Sequence, residues 1–336
     1  MWIPESIRQE LTNDPVVVVD VGVRGGWQRR WMSVSEYLLL VGFEPERAEY
    51  ERLLKGARPN ELFSNRALYA RPAQLPLYIT REPALSSIYK PNRALLDLLA
   101  PTSDGFDIIE EQVVQAVTLD QAATELELRT VDFLKLDTQG SELDILRGAE
   151  TVLADDLFGI EVEVEFAAVY VDQPLFGDVY SFLDDQGFSF SDFPSTYTVA
   201  DFRFVHRGLK GYASSTDLLR AWAHKLVPPH GAWRGAKQLL HADAVFFKDP
   251  HIYLDSDKGE MSRRIRTGVF VTCALGYTEY ASQMVRQADA LGGLNSGEKA
   301  DYHRMIRRAS RSSTFLWGDA KRGAGRIMRR LQHPGR

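Results

Sequence analysis

The feature that most constrains this chain is an uninterrupted run of six residues, Val16–Val21 (VVVVDV), five of which are valine. A continuous β-branched run of this kind fills a strand that is buried on both faces, as in parallel sheets covered by helices on both sides. Glycines follow at positions 22, 25 and 26, so the strand is expected to end in a tight turn. The start of the chain therefore predicts an α/β fold.

Apolar runs and helical segments alternate beyond this turn. Residues 37–43 and 62–69 predict a second and a third strand. Residues 131–137 (VDFLKLD) and 158–166 (FGIEVEVEF) predict two later strands, separated by a helix over residues 141–154. Strands that alternate with helices in this way predict a mostly parallel sheet with helices on both faces. Residues 71–92 contain four prolines and interrupt the alternation, so we expect a hairpin and a loop over the edge of the sheet.

The size and composition of the chain indicate a globular protein. Its 336 residues are 44% apolar and 26% charged, which is enough for a full core. We predict one domain over residues 1–250, with an insertion at 207–235 that is rich in glycine, histidine and tryptophan. A helical extension over residues 251–336 is expected to follow and to end in a basic tail.

The single cysteine, Cys273, excludes an intramolecular disulfide and a cysteine-rich metal site, and it favours the cytosol. No apolar run reaches the roughly 18 residues that a membrane span needs. The first residues are acidic where a signal peptide would be basic and then apolar. We therefore expect a cytoplasmic protein without a membrane span.

The last 36 residues, 301–336, hold ten Lys and Arg against two Asp, although the whole chain has a net charge of −6. Such a tail would suit an anionic membrane surface, an acidic glycan or nucleic acid, but a solvated basic end is the commoner case. No nucleic-acid partner is expected, and the sequence leaves open whether the chain forms a homo-oligomer.

The glycine turn after the first strand is the first candidate binding site. In doubly wound sheets, ligands bind beyond the carboxyl ends of the strands, where glycines admit the ligand and an acidic residue about 20 positions on binds a ribose. Asp20 and Gly22 lie at the end of the first strand, and the acidic residue at about this spacing is Glu44, which is followed by Pro45. Arg24 stands where the dinucleotide fingerprint has its second glycine, so pyrophosphate binding is disfavoured. A nucleoside without phosphates remains, and S-adenosylmethionine is the common one.

The second candidate site lies on the two later strands. Lys135 falls inside a strand that is otherwise buried, where an amine needs a partner. Glu161, Glu163 and Glu165 alternate with valines and therefore share one face of the next strand. If the two strands are neighbours, Lys135 is expected to pair with Glu161 or Glu163, and Asp137 and Glu165 are expected at the ligand-binding edge. A solvated face on a half-exposed strand is the alternative interpretation.

Several motifs resemble those of the FkbM family of S-adenosylmethionine-dependent methyltransferases. The most specific is VDFLKLDTQGSELDILRGA at residues 131–149, and it is accompanied by VDVGVRG, VGFEPE, TLDQ and IEVEVEF. The Ser86–Asn92 stretch (SSIYKPN) resembles the serine-serine loop of that family, which makes Ser87 a candidate cofactor contact. The family often has a glutamate where this chain has Gln139.

The resemblance implies a Rossmann-like class I methyltransferase fold, with a mostly parallel seven-stranded sheet and S-adenosylmethionine as cofactor. It places Gly22 and Gly25 at the methionine end and Glu44 at the ribose hydroxyls. Family members commonly methylate hydroxyls on sugars and polyketides, so a carbohydrate or glycoconjugate acceptor is implied. The predicted cofactor-binding residues are Asp20, Gly22, Arg24, Gly25, Glu44, Pro45, Ser87 and Asp137.

A hydroxyl acceptor must lose its proton as it attacks, for which a carboxylate at the rim of the site is suitable. We therefore predict Asp137 and then Glu165 as the base or the acceptor-orienting group, with Lys135 beside them; structural pairing with Lys135 is the rival interpretation. A hydrated metal between the two carboxylates is weighed as a minor alternative, and no metal site is assigned. The histidines show no metal-ligand spacing and are read as surface or packed residues.

Two other functions stay open at this stage. One is a nucleotide-sugar or NAD-dependent enzyme, which Arg24 disfavours. The other is a methyltransferase fold without activity that serves as a scaffold and docks through its basic tail.

Overall fold

The computed structural model describes residues 2–97, 103–199, 238–255 and 258–312. The strands in these ranges are β1 (Val16–Val21), β2 (Leu38–Phe43), β3 (Glu61–Ser64), β4 (Ala67–Leu68), β5 (Ala73–Thr80), β6 (Ile108–Val117), β7 (Phe133–Leu136), β8 (Gly159–Glu165), β9 (Phe188–Val199) and β10 (Gln238–Lys248). The helices are α1 (Glu5–Asn13), α2 (Arg29–Met32), α3 (Arg47–Lys55), α4 (Arg93–Leu96), α5 (Leu119–Glu125), α6 (Glu142–Arg147), α7 (Glu150–Ala154), α8 (Phe176–Asp185), α9 (Pro250–Tyr253), α10 (Lys258–Leu275), α11 (Thr278–Ala290) and α12 (Ser296–Ser312). The predicted insertion at 207–235 and residues 313–336 of the basic tail lie outside the described residues.

A seven-stranded sheet in the order β3-β2-β1-β7-β8-β10-β9 forms the centre of the molecule. Neighbouring strands from β3 to β8 are parallel, and β10 runs antiparallel to both β8 and β9. The mostly parallel seven-stranded sheet predicted from the sequence is confirmed. Because parallel strands all end at one edge, β1, β2, β7 and β8 bring the residues that follow them together there.

The two faces of the sheet bury separate apolar clusters. Even-numbered residues of β8, such as Ile160 and Val162, pack with α6 and α8 on one face. On the other face, Val18, Phe133 and Phe247 pack against α1, α10, α11 and α12. Helices therefore cover both faces, and those of the C-terminal segment cover one of them.

A buried ion pair joins the C-terminal helices to the sheet. Arg263 of α10 donates to both carboxylate oxygens of Asp132, at 2.9 and 3.0 Å, and to the hydroxyl of Thr130 at 2.6 Å. Asp132 is fully buried and also accepts the backbone N–H of Val17, at 2.8 Å. One carboxylate thus fixes α10 against the residues that begin β1 and β7.

Two predicted elements differ from the structure. The single strand expected over residues 62–69 is two strands, β3 in the large sheet and β4 in a separate three-stranded sheet of order β4-β6-β5. The single helix expected over residues 141–154 is two helices, α6 and α7. The helix is interrupted at Gly148, where a Cβ would stand 2.3 Å from the carbonyl oxygen of Tyr69.

Residues 71–92 fold back on themselves at one antiparallel bridge, in which Tyr78 and Ser87 exchange backbone hydrogen bonds, so the predicted hairpin is a single bridge. Their first half is β5, which pairs antiparallel with β6, a strand some thirty residues further along the chain. Their second half lies over the large sheet, where Asn92 N–H donates to the carbonyl oxygen of Val169 at 2.8 Å. Among the described helices, none combines the length and the apolar character that crossing a membrane requires.

Candidate active site

The glycine turn after β1 lies directly against the end of β7. Gly22 has a φ of +85°, and a Cβ at this position would stand 2.0 Å from the carbonyl oxygen of Asp137. Gly25 and Gly26 also have positive φ, but a Cβ at either would meet no atom within 4 Å. The turn therefore packs against β7 at Gly22, while the space beside Gly25 and Gly26 is empty. The backbone of these two glycines is accessible to a ligand.

Glu44 follows β2 and faces the same edge. Its side chain is buried, and Arg24 of the glycine turn lies 3.7 Å from it. Burial raises the pKa of Glu44, an effect that the charge of Arg24 opposes. Arg24 also pairs with Glu46 at 3.3 Å, and Pro45 is half-buried between the two glutamates. The predicted cofactor residues from β1 and β2 are thus brought together.

The face of the sheet that is apolar at the beginning of its strands becomes charged toward their carboxyl ends. Residues that pair across β1, β7, β8 and β10 point to the same side in register. The charged residues on this face, called here the charged cluster, are Asp20, Lys135, Asp137, Glu161, Glu163, Glu165, His241 and Asp243. Three of the carboxyls are the alternating glutamates of β8, as predicted.

Lys135 pairs with Asp20, which was not predicted, and with Asp137, as the rival interpretation expected. Its Nζ lies 3.4 Å from Asp20 and 3.3 Å from Asp137, and not in an ion pair with Glu161 or Glu163. The reason is that β7 lies between β1 and β8, so Asp20 of β1 is available on its other side. Burial alone would lower the pKa of Lys135, but Asp20 and Asp137 outweigh it and keep the amine charged.

Glu161 and Glu163 of β8 have other partners. Glu161 is bound by Arg30 of α2, and Gln28 lies 3.3 Å from it. Glu163 accepts a hydrogen bond from the side-chain amide of Gln139, and its Oε1 lies 3.0 Å from Nδ1 of His241. Burial, and after it the charge of Asp137, raises the pKa of Glu163 to about 8.

Asp137 and Glu165, the two predicted candidates for the base, differ in their surroundings. Asp137 keeps 37% of its side chain exposed, and although burial acts to raise its pKa, the charge of Lys135 and the amide of Gln139 lower it. Glu165 is 4% exposed, and burial raises its pKa well above the usual value. Asp137 therefore presents a carboxylate to the edge, whereas Glu165 favours its protonated form.

Gln139 connects the elements around this edge. It has a φ of +62°, which is uncommon for a residue with a side chain, and its amide donates to Asp137 at 3.0 Å as well as to Glu163. Its own carbonyl oxygen accepts the hydroxyl of Ser87, at 2.7 Å. The hydroxyl of Tyr170 lies 3.1 Å from its Oε1. Residues with strained backbones concentrate at functional sites. Gln139, with its positive φ, lies at the edge where the candidate site is.

Ser87 is thus part of the wall of the site. The predicted cofactor residue binds the β7–α6 loop through Gln139 and accepts the N–H of Tyr89, at 3.0 Å. Its hydrogen bond to Gln139 holds the 71–92 segment against the residues that follow β7, at the edge of the large sheet.

Sequence reasoning missed three of the contacts at this edge. They involve Arg30, Gln139 and His241, of which His241 was read as a surface or packed residue. A usable signal was present for the last of these, because His241 and Asp243 alternate with alanines along β10 as the glutamates alternate with valines along β8. Within the described ranges, no group of three or more His, Cys, Asp or Glu side chains has a geometry that would hold a metal ion.

The chain is distantly similar to two proteins of known structure. The chain is similar in fold to Streptococcus pneumoniae Sp1610, which carries a provisional assignment as a tRNA (m1A22) methyltransferase, with 11% identity, coverage of 92% of this chain and 98% of that one, and a TM-score of 0.30. It is also similar to the 16S rRNA (adenine(1408)-N(1))-methyltransferase from Catenulisporales acidiphilia, with 16% identity, coverage of 73% and 94%, and a TM-score of 0.26. Nothing about the substrate of this chain follows from likenesses this low. No curated protein matches the sequence.

The sequence profile of the FkbM methyltransferase domain matches residues 20–190. This stretch is just over half of the chain, and it runs from the last polar residue of β1 into β9. It includes the glycine turn, Glu44, the β7–α6 loop and the glutamates of β8. The strand order, with its one reversed strand, is that of the class I methyltransferase fold. The chain therefore belongs to the FkbM family of methyltransferases.

Proposed function

We propose that this protein transfers the methyl group of S-adenosylmethionine to a hydroxyl oxygen of a carbohydrate or glycoconjugate. The observation that carries the proposal is the position of Asp137. Its partly exposed carboxylate stands at the end of β7, and its backbone carbonyl contacts the glycine turn that would hold the cofactor. A group that can bind an acceptor hydroxyl is thus placed next to the cofactor turn.

The residues around the glycine turn fit an adenosyl cofactor. Gly25 and Gly26 leave space beside the backbone, and the carboxylate of Glu44 would accept hydrogen bonds from ribose hydroxyls. Arg24 stands on the turn in the position of the second glycine of the dinucleotide fingerprint, and it lies 3.7 Å from Glu44. Its side chain disfavours the close approach of a pyrophosphate to the backbone. When bound, S-adenosylmethionine supplies an electrophilic methyl group on a positively charged sulfur.

The described side chains would act on the acceptor mainly by positioning it. Displacement at a methyl carbon requires the acceptor oxygen to be held in line with the breaking bond, and such orientation supplies much of the rate. Asp137 would accept a hydrogen bond from the attacking hydroxyl, while Lys135 keeps the carboxylate ionised. The amide of Gln139, bound to Asp137 at 3.0 Å, fixes the direction of that carboxylate.

The acceptor class rests on the family resemblance and on the kind of groups at the edge. Carboxylates and amides such as Asp137 and Gln139 form hydrogen bonds with neighbouring hydroxyls of a sugar ring. A polyketide hydroxyl would satisfy the same chemistry at a single oxygen, so an acceptor panel has to include both classes.

The proposal is tested first by isothermal titration of the protein with S-adenosylmethionine, S-adenosylhomocysteine and NAD. Micromolar binding of both adenosyl compounds and none of NAD is expected. Formation of S-adenosylhomocysteine is then measured with methyl glycosides of glucose, galactose, mannose and rhamnose. A folded protein that binds neither adenosyl compound would overturn the enzyme proposal and favour the scaffold alternative.

A further inference from the structure

The last described helix, α12, has one apolar face and one basic face. Its apolar face belongs to the core on one side of the sheet and is formed by Tyr302, Met305, Ile306 and Ala309. The opposite face carries four exposed arginines at positions i, i+3, i+4 and i+7, so they occupy an arc of about 100° around the helix. These residues, called here the arginine stripe, are Arg304, Arg307, Arg308 and Arg311.

Most of the charge of the arginine stripe is not balanced by a neighbouring carboxylate. Arg304 pairs with Asp301, one turn earlier in the helix. Within the described part of the chain, Arg307, Arg308 and Arg311 form no ion pair. Exposed arginines elsewhere on the surface are paired, as Arg47 is with Glu51 and Arg66 with Glu125. The stripe therefore presents a concentrated positive charge to the surroundings of the protein.

The dipole of α12 does not account for the arginine stripe. Cations stabilise the carboxyl end of a helix only within its last turn. Since α12 ends at Ser312, Arg311 lies in that turn, whereas Arg304 and Arg307 lie before it. All four residues are arginine, whose guanidinium can donate two parallel hydrogen bonds to one phosphate group. The composition of the stripe therefore favours a partner that displays phosphates.

The sequence that follows α12 has the same basic character and adds apolar residues. Residues 313–336 contain six Lys and Arg against one Asp. Between the basic residues stand both aromatic and aliphatic side chains, namely Phe315, Leu316, Trp317, Ile327, Met328 and Leu331. Apolar groups among basic ones suit a lipid surface, where they enter the headgroup region. Nucleic acid would offer stacking only to the aromatic ones, so the segment favours lipid.

We propose that the protein binds the anionic surface of a phospholipid membrane through the arginine stripe of α12 and the residues that follow it. The guanidinium groups donate hydrogen bonds to the headgroup phosphates, and the negative surface potential of the membrane attracts the whole basic segment. Each basic residue close to such a surface raises the partition coefficient about fivefold, and salt screens the attraction. This contact does not depend on the proposed methyl transfer.

The test measures co-sedimentation of the full chain with two kinds of vesicle. One kind is phosphatidylcholine alone, and the other contains about 30% phosphatidylserine. We expect the parent protein to bind the anionic vesicles at least about tenfold more tightly than the neutral ones in about 0.05 M NaCl. This preference should largely disappear in about 0.5 M NaCl.

The variant that tests the arginine stripe replaces all four of its residues, as Arg304→Gln/Arg307→Gln/Arg308→Gln/Arg311→Gln. Glutamine has nearly the helix propensity of arginine, so the urea midpoint should stay that of the parent. The partition coefficient on anionic vesicles should fall about 100-fold. If the fourfold variant is unstable, Arg307→Gln/Arg308→Gln removes two of the unpaired charges and should lower the coefficient about 25-fold.

The matched control loses the same net charge at four exposed arginines that pair with carboxylates on other elements of the surface. Its substitutions are Arg47→Gln, Arg58→Gln, Arg66→Gln and Arg81→Gln. We expect the partition coefficient of this control to fall less than about fivefold. A larger effect of the stripe than of the control assigns the binding to α12 and excludes a response to net charge alone.

Three outcomes would overturn the proposal. The first is equal binding of the parent protein to neutral and anionic vesicles, or no binding to either in the lower salt. The second is an equal loss in the stripe variant and the matched control. The third is tight binding of a short fluorescent RNA or DNA duplex without binding to anionic vesicles, because the partner would then be nucleic acid. None of these outcomes bears on binding of S-adenosylmethionine or on methylation of a glycoside.

Discussion

The carbonyl oxygen of Asp137 lies 2.0 Å from the position that a Cβ on Gly22 would occupy. Gly22→Ala would force apart the ends of β1 and β7, and it would do so at a φ of +85° that alanine adopts only with strain. We expect a loss of about 3 kcal/mol or more of unfolding free energy in urea. Gly25→Ala is the control, because its φ is similar and its Cβ would meet nothing within 4 Å, so a loss of only about 1 kcal/mol is expected. Equal losses in the two variants would contradict the close contact.

The carboxylate of Glu44 is expected to contribute to cofactor affinity. Glu44→Gln keeps the shape of the side chain but replaces a charged acceptor with a neutral one, and it leaves Arg24 with one carboxylate fewer. We expect the Kd for S-adenosylmethionine to rise about tenfold or more in isothermal titration. Glu51→Gln, on the exposed surface of α3, should leave the Kd unchanged. An unchanged Kd for Glu44→Gln would remove this residue from the cofactor site.

The pair formed by Asp132 and Arg263 should be a main support of the fold. Asp132→Asn leaves the guanidinium of Arg263 buried at 6% exposure without the carboxylate that binds it in two places. We expect a loss of about 3–5 kcal/mol of unfolding free energy. The exposed pair of Asp97 with Arg93 provides the comparison, and Asp97→Asn should cost less than about 1 kcal/mol. Similar losses in both variants would show that α10 is not held through Asp132.

The stability of the protein should depend on the protonation of Glu163. Because burial raises its pKa from 4.5 to about 8, the folded chain keeps a proton that the unfolded chain releases between these values. The stabilisation from this group is therefore full below about pH 4.5 and is lost as the pH rises to about 8, and the raised pKa of His241 acts in the same direction. We expect urea midpoints of the parent protein to fall more steeply over this range than those of Glu163→Gln. Parallel curves would contradict the buried protonated glutamate, and the exposed Glu125→Gln should follow the parent.

Local patterns in the sequence were enough to predict the main sheet and many of the residues that lie at the carboxyl edge of its parallel strands. The valine run of β1, the alternation of β8 and the spacing from Asp20 to Glu44 each reflect a local requirement, namely burial on two faces, period two along a strand, and a turn that admits a ligand. The structure places all of these where the patterns indicated. The roles of Asp137 and Glu165 in catalysis stay predictions.

Contacts that depend on the order of the strands in the sheet could not be predicted from the sequence. Lys135 was assigned to the next strand in the sequence, but β7 also borders β1, and Asp20 became its partner. Glu163 meets His241 only because β10 returns antiparallel beside β8 from more than seventy residues further along the chain. A pairing of this kind is set by the packing of the whole sheet, and no local pattern specifies it.

The place of β10 between β8 and β9 also affects the order in which the site can form during synthesis. This strand is the last strand of the described residues, and three of the helices that cover the sheet face beside the charged cluster, α10, α11 and α12, come after it. When the ribosome has released only residues 1–190, the outer edge of β8 has no neighbour, and that face of the sheet lacks the cover of α10, α11 and α12. The nascent chain thus holds its cofactor turn long before it holds His241. The charged cluster is therefore complete only after β10 has joined the sheet, although the FkbM profile matches residues that precede this strand.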